Sequence, residues 1–363
     1  MSSSLPAEGV LMSVSDQVST VPHFLRERGD AVDGSAAFRA AETLGNGASA
    51  GAEGAALALV KLGVRARDEQ DYPRAEQLFV LAGESAADTE DAALLVRART
   101  LLGGLYRIQG RYEQAEEALR GALAVADGEP DMPVSALVGV CNELGVLFKY
   151  SGHFEEAEVC YRRALAVLER GGLREGLSAA ALFHNLSGLA HSRGDFAAAV
   201  EPGRRAVAIR ERVLGAEHVQ VVLDKAALAP VLIELGQLDE AEELLASALV
   251  VVERTFGPAH YETGVALGNL AALAYKRAQY PRAAEFFHRC LRLKEQTLGP
   301  GHPELAVTLN NLAVLARRGG DLSQAQGLWE RASAILETSV QPEHPLLGAV
   351  RRGLDSLGPG VPA

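Results

Sequence analysis

Apolar residues return at helical spacing along most of this chain, and the helices themselves return at a fixed longer interval. Near the C-terminal end Leu305, Leu309, Leu312 and Leu315-Ala316 fall on one stripe at steps of three and four. Gly320 is placed to end that helix and Asp321 to cap the next. The following helix is predicted from about Leu322 to Glu337, with Ala325, Leu328, Trp329, Ala332 and Leu336 turned inward. The spacing thus predicts a helical hairpin.

The same hairpin is written seven times. One column of aromatic or large apolar residues reads Tyr72, Tyr112, Phe154, Phe196, Leu238, Tyr280 and Leu322, with one step of 40 residues and five of 42. Ten residues before each member stands a leucine, from Leu62 to Leu312, and three residues after each stands an alanine, from Ala75 to Ala325. A period of this length means stacked modules rather than two or three separate globules. Small residues on the first helix (Gly145, Ser187, Ala229, Ala271, Ala313) face the alanine that opens the second, so paired helices can approach to about 8–10 Å. Gly110, Gly152, Gly194, Gly236 and Gly320 mark the turns, and Pro73 and Pro281 sit in first turns, where a missing N–H costs little. Pro202 and Pro230 instead fall inside helices, where each removes a hydrogen bond, and predict a local change of curvature between the fourth and fifth hairpins.

Leu-Gly (or a small residue) with a Tyr on the first helix, then Ala, an aromatic and Ala on the second, resembles the tetratricopeptide repeat (TPR) over about Ala55 to Leu357. The linkers Leu214-Gly215-Ala216-Glu217-His218, Phe256-Gly257-Pro258-Ala259-His260 and Leu298-Gly299-Pro300-Gly301-His302-Pro303, together with Leu309-Asn310-Asn311-Leu312-Ala313, resemble the kinesin light chain-like subclass. The resemblance implies an all-α fold: a right-handed superhelical solenoid of about seven TPR hairpins over 55–344 with a C-terminal capping helix over 345–358. It also implies a concave groove, lined by the first helix of each hairpin, that takes a peptide segment of another protein. The long heptad coiled coil that precedes the repeats in the motor subunit is absent, which argues against a motor-linker role.

The ends read differently. Residues 1–54 are rich in Ser, Gly and Ala with no sustained period and are expected to be flexible, with Pro22 to Arg28 as a helical turn or docking motif. Leu347, Val350, Leu354 and Leu357 form one stripe with Arg351, Arg352 and Asp355 facing away, as a solvating cap requires; 359–363 is a tail.

Charge narrows the partners. With 35 basic and 47 acidic residues the net charge is −12, which argues against non-specific nucleic-acid or anionic-membrane binding. Three cysteines cannot build a disulfide framework, no apolar run reaches the ~18–20 residues of a membrane span, and Met1 to Pro6 lacks the basic and apolar regions of a signal peptide. A cytoplasmic protein is expected. An Ala-rich terminal hairpin leaves a homo-oligomer open.

If the family geometry holds, four columns face the groove. They carry Asn142, His184 and Asn310; Glu143, Asn185, Asn269 and Asn311; Arg107, Lys149, His191, Tyr275 and Arg317; and Tyr150, Ser192, Lys276 and Arg318. Asn can pair with both groups of an extended peptide backbone, and Arg and Lys attract acidic side chains or a terminal carboxylate. His218, His260, His302 and His344 recur one repeat apart, too far apart to share a metal, and are expected to cap or pack turns. Cys141, Cys160 and Cys290 read as buried, inert thiols.

No Walker loop, Rossmann fingerprint, nucleophile elbow or His-Glu-x-x-His is present, and no cofactor is implied. The reading is therefore a non-catalytic interaction scaffold. Two alternatives stand beside it. One is a regulatory receptor for a short signalling peptide; the other is an enzyme using a carboxylate–imidazole pair of Glu143 and His184.

Overall fold

The computed structural model describes residues 52–338 and 345–357. Nearly all of the expected flexible N-terminal segment, the Pro22–Arg28 motif, His344 and the tail lie outside the described residues. Among the described residues the chain is all-helical. The helices are α1 (Ala52–Asp68), α2 (Tyr72–Asp88), α3 (Ala92–Ile108), α4 (Tyr112–Gly128), α5 (Val134–Tyr150), α6 (Phe154–Arg170), α7 (Leu177–Ser192) and α8 (Phe196–Leu214). They continue as α9 (Val219–Glu234), α10 (Leu238–Phe256), α11 (Tyr261–Lys276), α12 (Tyr280–Leu298), α13 (Leu305–Arg318), α14 (Leu322–Glu337) and α15 (Pro345–Asp355). Seven consecutive pairs are followed by one closing helix, and α1 starts three residues before the expected array.

Local sequence sets the helix ends. Asp71, Asp91, Asp195 and Asp321 each accept a hydrogen bond from a backbone N–H three residues on, at 2.9–3.2 Å. The turn inside each hairpin needs one residue with positive φ. Glycine supplies it in five repeats, while Gln70 (φ 63°) and Ala278 (φ 58°) hold the same conformation at the cost of Cβ strain. The histidine column caps the next hairpin: Nδ1 of His218, His260 and His302 accepts from the backbone N–H of Gln220, Glu262 and Glu304 at 3.2–3.3 Å.

The chain divides into two compact units whose described parts are 52–189 and, in the second, 190–338 with 345–357. In the N-terminal unit small residues decide how closely helices pair. A Cβ added to Gly145 would lie 2.4 Å from the Tyr161 ring, and one on Gly103 2.5 Å from Leu119. The glycine of the first helix is therefore the seat for the large side chain of the second, and replacing it would push the pair apart. Tyr161 and Leu119 are fully buried as a result.

In the C-terminal unit the hairpins from α9 to α14 bury Leu228, Leu232, Leu245, Phe287, Leu312 and Trp329, and α15 adds Leu347 and Val350 to the last cluster. Gly353 of α15 admits Trp329 just as Gly145 admits Tyr161, since a Cβ added there would lie 2.5 Å from the indole. Pro202 and Pro230 lie inside α8 and α9, and both helices continue past them. Charged groups are also buried here. Asp224 pairs with Arg210, Lys225 with Glu211 at 2.6 Å, and Lys294 with Glu304 at 3.6 Å. Glu304 also accepts from the Tyr261 hydroxyl at 2.6 Å. No described helix is long and apolar enough to cross a membrane.

Candidate functional site

The predicted residues separate into two groups. Arg107, Asn142, Glu143, Lys149, Tyr150, His184 and Asn185 belong to the N-terminal unit. His191, Asn269, Tyr275, Lys276, Asn310, Asn311, Arg317 and Arg318 belong to the C-terminal unit.

The first group is a connected polar surface on α3, α5 and α7. Arg107 Nη2 donates to Glu143 Oε2 at 3.3 Å, and its guanidinium stands 5.8 Å from the Tyr150 ring centroid. Asn185 Nδ2 donates to Asn142 Oδ1 at 2.8 Å. Lys149 Nζ sits 5.9 Å from the Tyr150 ring centroid. Two glycines make room for these groups: a Cβ on Gly104 would come within 3.2 Å of Glu143 Oε2, and one on Gly188 within 3.1 Å of Lys149 Nζ. The register that produces this is simple, since Gly104 and Gly188 occupy equivalent positions on either side of α5.

Electrostatics single out Lys149. Burial lowers its pKa, and no carboxylate among the described residues opposes that shift. Burial likewise pushes the Tyr150 hydroxyl up. Sequence reasoning missed Tyr161, whose hydroxyl is buried without a hydrogen-bond partner among the described residues. Burial, then the nearby Glu143 charge, raises its pKa. The Glu143 carboxylate pairs with Arg107 on α3 through Oε2.

The second group departs from expectation. Asn269, Asn310 and Asn311 are 4%, 3% and 0% exposed, so the prediction that they form an open column is corrected. Asn310 Oδ1 accepts from Trp329 Nε1 at 3.0 Å, and Asn310 Nδ2 donates to Asn311 Oδ1 at 3.4 Å. Asn269 Nδ2 donates to the Ala226 carbonyl at 3.1 Å. Ala226 lies four residues before Pro230, which has no N–H to return. Asn269 thus supplies the donor that the proline removed.

The remaining members of this group sit at hairpin ends. Lys276 Nζ pairs with Glu234 at 2.9 Å, Tyr275 meets Tyr280 edge-on at 5.4 Å, and His191 meets Phe196 in the same way at 5.4 Å. Arg317 donates to Ser356 Oγ at 2.8 Å, and Arg318 stacks 4.3 Å from the Tyr280 centroid.

Sequence reasoning also missed a cavity of about 590 Å³ between the N-terminal halves of α3 and α5, lined by Leu94, Arg97, Thr100, Leu101, Ala136 and Gly139 among others. Arg97 is exposed and makes no ion pair among the described residues. The available signal was Gly139, which stands five residues before its column leucine, where the preceding repeat has Arg97.

Comparison with known proteins places the chain. The MalT-like TPR region family matches residues 74–263, and a tetratricopeptide repeat family matches residues 268–338. The chain belongs to the MalT-like TPR region family. No curated protein matches the sequence. Among solved structures, the putative kinesin light chain nearly identical TPR-like repeats of Podosopora anserina share 25% identity over 58% of this chain and 99% of theirs, with a TM-score of 0.47. The apo form of the quorum sensor NprR from B. thuringiensis has 16% identity over 82% of this chain and 79% of its own, with a TM-score of 0.59. NprR in complex with its cognate peptide NprX has 15% identity, a TM-score of 0.57 and coverage of 82% and 81%. The NprR structures are similar in fold.

Proposed function

We propose that this chain is a non-catalytic interaction protein that holds a peptide segment of another protein against the first-helix face of its N-terminal unit. One observation carries the reading: the half-buried Lys149 ammonium, desolvated and with no ion pair among the described residues, stands between α5 and Gly188 of α7, on the pair of helices that also carries the Asn142–Asn185 amide pair. A half-buried, desolvated cation without a counter-ion is stabilised by a ligand that carries the opposite charge. A side-chain or terminal carboxylate of a peptide answers that charge, and free valences of the two amides answer the backbone N–H and C=O groups beside it. The complex of NprR with a peptide is a precedent for such a ligand on a similar fold. The three linker motifs support a place near the kinesin light chain-like arrays, and the three free cysteines support a cytoplasmic setting.

The test uses the full chain panned against a random twelve-residue peptide library displayed on phage. Peptides carrying a carboxylate are expected to be enriched, and Lys149→Gln is expected to weaken them about tenfold, the value of one charge-assisted hydrogen bond. The thermal midpoint should not fall, since the substitution removes a desolvated charge. Failure to enrich any peptide, or enrichment of peptides indifferent to Lys149→Gln, overturns the reading.

A further inference from the structure

The cavity between α3 and α5 lies on the same face of α3 as Arg107, nearer its N-terminal end. Along α3 the residues Arg97, Leu101, Gly104 and Arg107 follow at steps of four, three and three, so they share one side of the helix. Ten residues of helical rise separate the two arginines by about 15 Å. Between them Leu101 is apolar and Gly139 contributes no side chain, while the Glu143 carboxylate stands over Gly104.

Arg97 has no ion pair among the described residues, unlike three arginines of the same unit. Arg107 is held by Glu143 at 3.3 Å, Arg111 by Glu76 at 2.7 Å, and Arg163 by Asp127. The acid in the cavity wall, Asp91, spends one oxygen on the Leu94 backbone N–H at 2.9 Å as a helix cap. Arg97 therefore presents a guanidinium beside Leu101, Ala136 and the half-buried wall of Thr100, whose own hydroxyl is turned to the Val96 carbonyl at 2.7 Å. A cavity of about 590 Å³ lies within the usual range for ligand pockets.

We propose that this cavity is a second subsite, which takes an acidic residue and its apolar neighbour from the bound segment. The carboxylate pairs with Arg97, and the apolar side chain fills the space over Gly139. The inference rests on the reading of this face as peptide-binding and adds the sequence that the face selects. An extended segment covers about 15 Å in about four or five residues. The acidic residue at Arg97 is therefore separated by that interval from the residue that lies against the Arg107–Glu143 pair. An acidic residue with an apolar neighbour, in addition to the carboxylate that answers Lys149, is the recognised pattern.

The peptides enriched from the twelve-residue library test this, with two variants. Arg97→Glu reverses the charge at an exposed position that holds nothing else. Gly139→Phe fills the cavity from a position where an added Cβ meets no atom within 4 Å. The expected result is an Asp or Glu flanked by Leu, Ile, Met or Phe in the enriched peptides, with affinity reduced about tenfold by either variant. Panning on Arg97→Glu should instead enrich Lys or Arg at that place. If Lys149→Gln weakens the peptides while Arg97→Glu and Gly139→Phe leave them unchanged, the subsite is overturned and the wider reading stands. If no peptide is enriched by the parent protein, both are overturned.

Discussion

Removing the Asn269 side chain should cost the C-terminal unit stability for a reason written four residues before Pro230. Pro230 lies inside α9 and offers no N–H to the Ala226 carbonyl. Asn269 of α11 donates to that carbonyl at 3.1 Å and is itself 4% exposed. Asn269→Ala leaves the half-buried Ala226 carbonyl without its donor, which costs about 1–3 kcal/mol. In a Pro230→Ala background the restored N–H reaches Ala226, and the same Asn269→Ala change should cost less than about 1 kcal/mol. The difference, about 1–2 kcal/mol, is the coupling energy of a double-mutant cycle. Urea unfolding followed by tryptophan fluorescence measures it, because the chain has one Trp and that residue, Trp329, is buried in the same unit. A cycle in which Asn269→Ala costs the same with and without the proline refutes the assignment. So does a single-variant cost below about 0.3 kcal/mol, because the loss of this hydrogen bond costs several times that.

Ala278→Gly should stabilise the C-terminal unit by about 0.5–1 kcal/mol in the same fluorescence assay. It relieves a left-handed conformation at φ 58° costing about 1–2 kcal/mol, offset in part by the entropy glycine adds to the unfolded chain. Lys149 has a folded pKa below the usual lysine value of 10.5, so the unfolded chain binds more protons and stability rises as pH climbs toward that value; Lys149→Met should flatten the rise. Glu262 behaves oppositely. Burial, then the Glu304 charge, raises its pKa above 4.5, so the native state keeps a proton the unfolded chain releases, and stability should fall as pH rises through the window above 4.5. Glu262→Gln should remove that slope in thermal melts taken across mildly acid pH; an unchanged slope refutes it.

The repeat was legible because every hairpin solves the same packing problem with the same few residues. Leu144, Phe154 and Ala157 recur at fixed intervals, and the structure returns a helix pair at each recurrence. Even the boundaries of α14, Leu322–Glu337, were readable from Asp321 and the apolar stripe. The candidate surface was legible only in part. Column position told which residues share a helix face in the N-terminal unit, where Arg107 pairs with Glu143 and Asn142 with Asn185.

The same column logic misjudged Asn269, Asn310 and Asn311. A column fixes the direction of a side chain on its own helix, which follows from the 3.6-residue period and nothing else. Whether that direction ends in water depends on what crosses it. For Asn310 the answer was the indole of Trp329, and for Asn269 a carbonyl left open by a proline 39 residues earlier in sequence. Arg97 and Gly139 passed unnoticed for the converse reason, since a cavity is an absence of side chains shared by two helices, and no single helix records it. The sequence by itself determined the helices, their pairing and their repeat, because those are local and periodic. Only the tertiary structure decided which polar groups remain open to a ligand, because desolvation is set by neighbours distant along the chain.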